Sequence, residues 1–371
     1  MTWTELDWKA LDRLRDGFLS GDAAKGAYWK SESDLASYDF TFGERIGWKW
    51  DHVLRELNLR QWHPTARSIL DWGCGSGIAA RRVIAHFGPA SFDTLTVWDH
   101  SLVACDYATE AATRAFPSLN VATATAGFLR ANEPIGLLVI SHVLNELSPV
   151  ALSELRGLID RAAEVLWVES GTHAVSRSLG ALRDEFLASF RIVAPCTHQL
   201  KCPALAPGKE RDWCHFFAPP PSEIFANPDW VKFGQRAGID LRSLPYSFVA
   251  MDRLKADVSP SCDEPQTHEQ SAESNGHDSS LSTLSRVIGR PEHFKPYARL
   301  LNCDVTGLHE LELLKRTDPA LFKQLDRTKA PLVYRWHRTG TKILSGESLA
   351  STVPQSEDPL ESQGTSEQTS L

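Results

Sequence analysis

No stretch of this chain approaches the about 18 consecutive apolar residues that a membrane-spanning helix needs, so no transmembrane helix is expected. The first segment, MTWTELDWKALDRLRDGFLSG, lacks the continuous apolar core of a secretory signal. Its acids Glu5, Asp7, Asp12 and Asp16 are what a mitochondrial presequence avoids, and the reading is a cytoplasmic protein. Cysteine is scarce, seven in 371 residues, odd in number and without a single C-x-x-C pair. That argues against a disulfide framework and for metal ligation or buried thiols. There is no phosphate-loop lysine motif and no internal repeat. What is present, 42% hydrophobic, 9% aromatic and 23% charged residues, excludes collagen, wholesale disorder and a coiled coil. The length suggests roughly two domains with a large core.

The net charge of −8 is unevenly placed. Residues 257–283 hold six acids and no Lys or Arg, and residues 340–371 hold five acids beside Lys342. Both are rich in Ser, Glu, Gln and Pro and poor in aromatics, so they are expected to be a disordered insertion and tail. The remainder is near +2, and residues 284–338 carry eleven Lys/Arg against six Asp/Glu. A nucleic-acid surface is therefore not excluded, although such a local excess is equally that of a solvated face.

Residues 5–19 and 44–60 read as helices, separated by a Trp/Tyr-rich segment expected to pack over the next domain. From residue 67 short apolar runs alternate with helical patterns. Strands are expected at 67–72, 94–99, 119–125, 135–144 and 165–170, with helices at 78–87, 101–116, 149–164 and 174–190. This rhythm predicts an α/β fold, a doubly wound and mostly parallel sheet covered on both faces. A helix near 222–237, a strand at 244–251 and a hairpin of 297–305 with 308–316 turning at Asp304 to Gly307 complete the reading.

Asp71-Trp72-Gly73-Cys74-Gly75-Ser76-Gly77 follows the first strand and opens a helix. Glycine at alternate positions admits unusual backbone angles and close approach of a ligand. The helix start offers free N–H groups to an anion. Asp99 ends the second strand, 22 residues beyond Gly77, where an acid can accept from both hydroxyls of a ribose. The third glycine comes one residue too early for a dinucleotide fingerprint. At these residues the chain resembles class I S-adenosylmethionine-dependent methyltransferases, with their Rossmann-like fold. The resemblance implies that Asp71, Gly73, Gly75 and Gly77 hold the methionine part of the methyl donor and Asp99 its ribose. It puts Ser141 and His142, at the end of the fourth strand, beside the reacting methyl group. His142 is as well read as a core histidine.

Cys196, Cys202 and Cys214 lie within 19 residues of a Pro-rich stretch, and Cys303 lies 89 residues after Cys214. Four thiolates suit tetrahedral zinc or an iron–sulfur cluster, and the lack of C-x-x-C knuckles tilts toward the cluster. Unligated thiols are the alternative. The elements CTHQLKCP, WCHF and LLNC, with TFGERIGWKW (41–50), DWGCGSG and SHVLNELS (141–148), resemble the small ribosomal subunit methyltransferase-like (Rsm-type) family of mitochondria and bacteria. That resemblance covers roughly residues 38–338. It implies a [4Fe–4S] cluster on Cys196, Cys202, Cys214 and Cys303, with zinc as the alternative, and a role in small-subunit assembly or translation. Cys74, Cys105 and Cys262 do not match the ligand set. His198 and His215 could substitute for a ligand. Trp29 and Trp213 are expected to pack rather than to stack on bases.

The expected organisation is a helical segment over 1–62, the methyl-donor domain over 63–190 and a Cys-rich, metal-binding appendage with an additional helix and strand over 191–256. A disordered insertion over 257–283, a basic segment with the hairpin carrying the fourth cysteine over 284–338 and a disordered tail over 339–371 complete it. Small-subunit ribosomal RNA is the implied partner, with neither membrane nor DNA expected. No catalytic base is identifiable, because the fourth strand ends in neither Pro-Cys nor an Asn/Asp-Pro-Pro-aromatic turn. Three functions compete: an RNA methyltransferase, an assembly factor using donor and cluster structurally, and a small-molecule methyltransferase with structural zinc.

Overall fold

The computed structural model describes residues 1–20, 28–255 and 284–351. The acidic insertion expected at 257–283, with Cys262, and the part of the expected tail beyond residue 351 lie outside the described residues.

Three helices come first: α1 (Trp8–Ser20), α2 (Glu32–Tyr38) and α3 (Glu44–Leu59). Ser31 caps α2 by accepting from the Asp34 N–H (3.2 Å). A π-helical turn, Asp39–Gly43, joins α2 to α3. Asp39 in that turn accepts from Arg81 Nη2 at 2.6 and 2.7 Å, which ties it to the domain behind. Lys49, His52, Glu56 and Arg60 succeed one another at three- and four-residue spacing, so they form one stripe along α3 and its C-cap.

The alternation then runs β1 (Ser68–Trp72), α4 (Ile78–Phe87), β2 (Thr94–Trp98), α5 (Leu102–Ala115), β3 (Asn120–Thr123), α6 (Ala126–Arg130), β4 (Ile135–Ser141), α7 (Pro149–Ile159), β5 (Ala162–Ser170) and α8 (His173–Glu185). It continues with β6 (Phe190–Ala194), β7 (Phe216–Ala218), α9 (Pro228–Ala237) and β8 (Leu244–Arg253). The sheet order is β3-β2-β1-β4-β5-β8-β6, with β7 also paired to β8. The five strands from β3 to β5 are parallel, and β8 is antiparallel to its neighbours. Leu137 and Val139 of β4 enter the core on one face, and Leu138 and Ile140 the core on the other. A strand buried on both faces must be apolar throughout, which is why β4 is a continuous run. The expected doubly wound, mostly parallel sheet is therefore present. Strand order reverses between β1 and β4, and the crevice beyond their carboxyl ends is where open α/β sheets take ligands.

Three expectations are corrected here. The expected domain end at 190 and the separate appendage at 191–256 give way, because β6 and β8 extend the main sheet to residue 253. The helix expected to run to 190 stops at Glu185, which frees Phe190 to start β6. The tail expected from 339 begins too early, because Lys342–Ser348 is a strand.

That strand closes a second unit. β9 (Leu284–His293), β10 (Tyr297–Asp304), β11 (Gly307–Leu314), α10 (Pro319–Arg327), β12 (Val333–Thr339) and β13 (Lys342–Ser348) form a closed barrel in the order β10-β11-β13-β12-β9. β11 and β13 pair in parallel and the other pairs are antiparallel. Five strands closed this way, with a helix between the third and fourth, have the connectivity of an OB-type barrel. The expected hairpin is its β10–β11 pair, with Asp304 opposite Gly307. Burial alternates strictly along β10, and Val287, Leu300, Leu311, Leu313, Trp336 and Ile343 fill the interior.

The barrel docks on α3 and the main sheet. Arg286 of β9 donates to Glu56 (Nη2 to Oε2, 3.0 Å), which also accepts from Arg60 (2.8 Å). His52 Nδ1 accepts from the Tyr246 hydroxyl of β8 (2.7 Å), and Nε2 lies 3.2 Å from the Lys329 carbonyl of the barrel unit.

Candidate active site

At the tip of β1 the backbone runs through Gly73, Gly75 and Gly77 with φ of +72°, +51° and +74°, a region that other residues enter only at a cost. Two of these glycines are needed for packing as well. A Cβ on Gly73 would stand 2.7 Å from Val143, and one on Gly77 would stand 3.0 Å from Ala108. Gly75 differs: its Cβ would meet only the Trp29 ring at 3.8 Å, so it is this position that leaves the loop open to a ligand. The loop is fixed from the next strand. Gly73 and Cys74 donate to the Trp98 carbonyl (2.8 and 3.0 Å), and Gly75 donates to Asp99 Oδ2 (3.0 Å). Asp99 also accepts from the Ser101 N–H on Oδ1 (3.0 Å), and burial raises its pKa. Asp71 is fully buried, and burial pushes it up to about 7 against the opposing pull of the Ala80 N–H.

The loop opens onto a cavity of about 500 Å³, a size suited to a small-molecule ligand. Gly73, Gly75, Asp99, Ser141 and His142 all line it, so the structure brings together most of the residues singled out in the sequence. Asp71 and Gly77 stand behind the loop and are not part of the lining. The turn after β4 carries His142 with φ +56°. Ser141 Oγ accepts from Trp50 Nε1 (3.0 Å) and lies 3.2 Å from His142 Nδ1, while His142 Nε2 lies 3.1 Å from Lys49 Nζ. Burial, then Arg45, lowers Lys49 to about 7, and burial with Lys49 and Arg45 keeps His142 neutral. Behind the turn, Glu169 Oε1 accepts from Trp167 Nε1 (2.7 Å) and the Val143 and Leu144 N–H groups (3.0 and 3.1 Å), whereas Oε2 has no partner. Burial brings Glu169 and the cavity-lining Glu146 up to about 7, and Tyr28 donates to Glu146 (3.3 Å).

No pattern in the sequence points to Lys49, Glu146, Glu169 or Tyr28. Lys49 lies in the block TFGERIGWKW, yet nothing in that block says that an α3 lysine reaches a histidine 93 residues away. The aromatic segment before α3 does pack over the domain, as expected, and Tyr28, Trp29 and Tyr38 become cavity wall. Trp29 keeps an unpartnered indole N–H. Trp213 packs, stacking on His215 and donating to the Gly171 carbonyl (3.0 Å).

Cys196, Cys202, Cys214 and Cys303 share one neighbourhood, where the chain after β6 meets β10 of the barrel. Burial raises all four thiols; Cys202, held at about 11, is raised further by Cys196, and Cys214 by Cys196, Cys202 and Cys303. Arg183 donates to the Leu200 and His198 carbonyls, and Arg60 to those of Val193, Pro195 and Cys196, so two cations brace this loop. His198 Nε2 lies 3.6 Å from Cys303 Sγ, and the His215 ring stacks on Trp213. Among the described residues no group of three or more His, Cys, Asp or Glu side chains is arranged to hold a metal ion. Cys74 and Cys105 lie instead at the glycine loop, where the Asp99 N–H donates to Cys105 Sγ (3.2 Å).

Solved structures similar to this chain include the plantazolicin methyltransferase BpumL in complex with S-adenosyl-homocysteine, 12% identical over 67% of this chain and 100% of that one, TM-score 0.36. Another is TrmK of M. capricolum in complex with S-adenosyl-homocysteine, 10% identical over 54% of this chain and 68% of that one, TM-score 0.31. A third, the ribosomal protein L11 methylase of Lactobacillus delbrueckii subsp. bulgaricus, is 18% identical over 38% of this chain and 68% of that one, TM-score 0.28. Among proteins of curated function none matches. No helix of the described residues is long and apolar enough to cross a membrane. Residues 51–243, more than half of the chain and spanning the glycine loop, the β4 turn and three of the four clustered cysteines, match one family, and the chain belongs to it: Mitochondrial small ribosomal subunit Rsm22.

Proposed function

We propose that this protein binds S-adenosylmethionine over the glycine loop and acts in the cytoplasm on the small ribosomal subunit, methylating its RNA. The observation that carries the reading is the open Gly75 position at the switch point of the sheet, facing a cavity whose far wall is Ser141 and His142. Gly73 and Gly75 would hold the methionine part and Asp99 the ribose hydroxyls, with Gly77 shaping the loop from behind against Ala108. The donor supplies an electrophilic methyl group; the chain's part is to orient it and exclude water. Partnership with ribosomal RNA is supported by family membership and by the basic excess of residues 284–338. Calorimetry with S-adenosylmethionine should show one site per chain, lost in Gly75→Arg; unchanged affinity in that variant would put the donor elsewhere. Labelled donor incubated with immature small subunits reads the transfer itself.

The second reading is an assembly factor that uses the donor structurally. It is favoured by the sequence of the β4 turn, His142-Val143-Leu144-Asn145-Glu146-Leu147, which lacks the Asn-Pro-Pro-aromatic turn of amino-group methylation. Tight donor binding without transfer would establish it.

We further propose that Cys196, Cys202, Cys214 and Cys303 hold a [4Fe–4S] cluster. Support comes from four thiols in one neighbourhood, braced by Arg60 and Arg183, in the order the family resemblance implies. A single zinc needs every sulfur about 2.3 Å from one point, and the broader core of a cluster accepts a wider set. Anaerobic purification should give a broad visible absorbance and about four irons per chain. Stoichiometric zinc without iron would overturn it.

A further inference from the structure

Three side chains at the β4 turn stand in series: Ser141 Oγ is 3.2 Å from His142 Nδ1, and His142 Nε2 is 3.1 Å from Lys49 Nζ. Ser141 and His142 line the cavity, and Lys49 reaches them from α3 behind. The indole N–H of Trp50 can only donate, so one lone pair of Ser141 Oγ is always taken (3.0 Å). The remaining valences allow two directions. When Lys49 is an ammonium it can only donate, so Nε2 accepts, Nδ1 carries the ring proton and donates to Ser141, and the serine hydrogen points into the cavity. When Lys49 is a free amine its lone pair can take the Nε2 hydrogen. Nδ1 then accepts from Ser141, and the serine oxygen offers a free lone pair to whatever occupies the cavity.

We propose that Ser141, His142 and Lys49 form a proton relay that carries the proton of the methyl acceptor out of the cavity to the lysine amine. This rests on the methyl-donor reading of the same pocket. The balance closes: the acceptor forms its bond to the methyl carbon, the carbon–sulfur bond breaks and its electron pair stays on sulfur. The acceptor's proton passes to Ser141, the serine proton to Nδ1 and the Nε2 proton to Lys49. The positive charge that was on the donor ends on the ammonium, near Glu169. The chain is then left in its other direction, with no atom unaccounted for.

Two features fit this use. His142 is held in the left-handed region without being glycine, a conformation kept only where surroundings impose it. The charged groups acting on Lys49 are Arg45 from its own helix and Glu169 from β5, the first lowering its pKa and the second raising it, with burial larger than either and the balance at about 7. Burial, then Lys49 and Arg45, keeps His142 from charging, so the ring relays as a neutral group.

The test is nitrogen-15 NMR of the histidine rings of the full chain, with the His142 signal assigned by its loss in His142→Asn. Between about pH 6 and about pH 9 the ring proton should move from Nδ1 to Nε2, with a midpoint near 7. Lys49→Arg, which can only donate there, should hold the Nδ1–H form throughout, and Lys49→Met, which neither donates an N–H nor titrates, should show one unchanging tautomer distribution with no transition near 7. A single tautomer in the unsubstituted protein, or the same transition in either variant, overturns the relay. Calorimetry with S-adenosyl-homocysteine on the same samples reads the pocket separately. Absent binding in the unsubstituted protein sinks the donor reading, while binding unchanged within about twofold in Lys49→Arg, with transfer slowed at least tenfold, places the defect in the relay.

Discussion

The stripe of α3 reaches two buried charged clusters that differ in one respect. Where the barrel meets the sheet, Glu56 is fully buried yet paired on both oxygens with Arg286 and Arg60. Burial alone would raise it, and the two guanidinium groups hold its carboxyl below the usual range, so it stays ionised. Nearer the start of the helix, behind the β4 turn, Glu169 has no partner on Oε2, and burial moves it to about 7; burial moves Asp71, behind the glycine loop, likewise. Burial, then Arg45, moves Lys49 down to about 7, against the charge of Glu169. Paired charge in the interior is architecture; unpaired charge in the interior, beside a cavity, is what sites of binding and proton transfer are made from. The difference also gives the two regions opposite responses to substitution and to pH.

The largest effect is expected at the paired cluster. Glu56→Ala leaves Arg286 and Arg60 buried against each other with no counter-charge, which costs about 3–5 kcal/mol. Arg286 lies over the Phe216 ring (4.0 Å) and anchors β9, so the loss should appear as early release of the barrel from the sheet domain. Chemical denaturation followed by tryptophan fluorescence checks it. A variant as stable as the parent would mean that the pair contributes nothing net and that apolar contacts alone seat the barrel.

The same contrast explains what could be read in the sequence. Strands β1, β4 and β5 announce themselves, because a parallel strand buried on both faces must be apolar at nearly every position, as IGLLVIS is in β4. The glycine loop is legible for a related reason, since its conformation is demanded locally and only glycine meets it. The barrel strands are half solvent-exposed and alternate. β13 (KILSGES) buries Ile343 and Ser348 at its core-facing positions, and its composition reads as tail until closure against β11 gives Ile343 a place. β9, on the other side of β12, carries Gly289 and Pro291 inside LSRVIGRPEH, both poor signals for a strand. Lys49 is invisible in the sequence because its meaning depends on a fold that brings α3 against the end of β4.

A smaller effect, of opposite sign, is expected at the unpaired cluster. Glu169 has a folded pKa of about 7 against about 4.5 when unfolded, so between these values the native state binds more protons than the unfolded one. Stability then falls as pH rises from about 4.5 to about 7 and levels off above. For Glu56, held below its unfolded value, stability is complete above about pH 4.5 and is lost as pH falls through the folded pKa. Glu169→Gln keeps an oxygen for the three donors on Oε1 and cannot ionise. Relative to the parent it should gain on the order of 2 kcal/mol between pH 4 and pH 8, read from urea denaturation at each pH. Asp71 and Glu146 keep their own slopes, so the dependence is reduced and not abolished. An equal difference at both pH values would show that Glu169 is ionised in the fold and paired with Lys49.

The smallest effect isolates pairing from charge. His52 lies on the same stripe, between Lys49 and Glu56, and burial, then Arg286, lowers it to about 4, while burial raises Tyr246 far above neutrality. Both partners are therefore neutral through the physiological range. With Nε2 donating to the Lys329 carbonyl, the ring must accept on Nδ1 from the tyrosine hydroxyl. Tyr246→Phe removes that donor, leaves the ring packing in place and strands one buried acceptor, at a cost of about 1 kcal/mol. Because neither group titrates between about pH 6 and about pH 9, the cost should be the same across that range, unlike the sloping difference at Glu169. A cost that shrinks as pH falls toward 6 would mean that the hydroxyl, and not burial, keeps His52 neutral, and the barrel interface would then belong with the cavity among the unpaired sites.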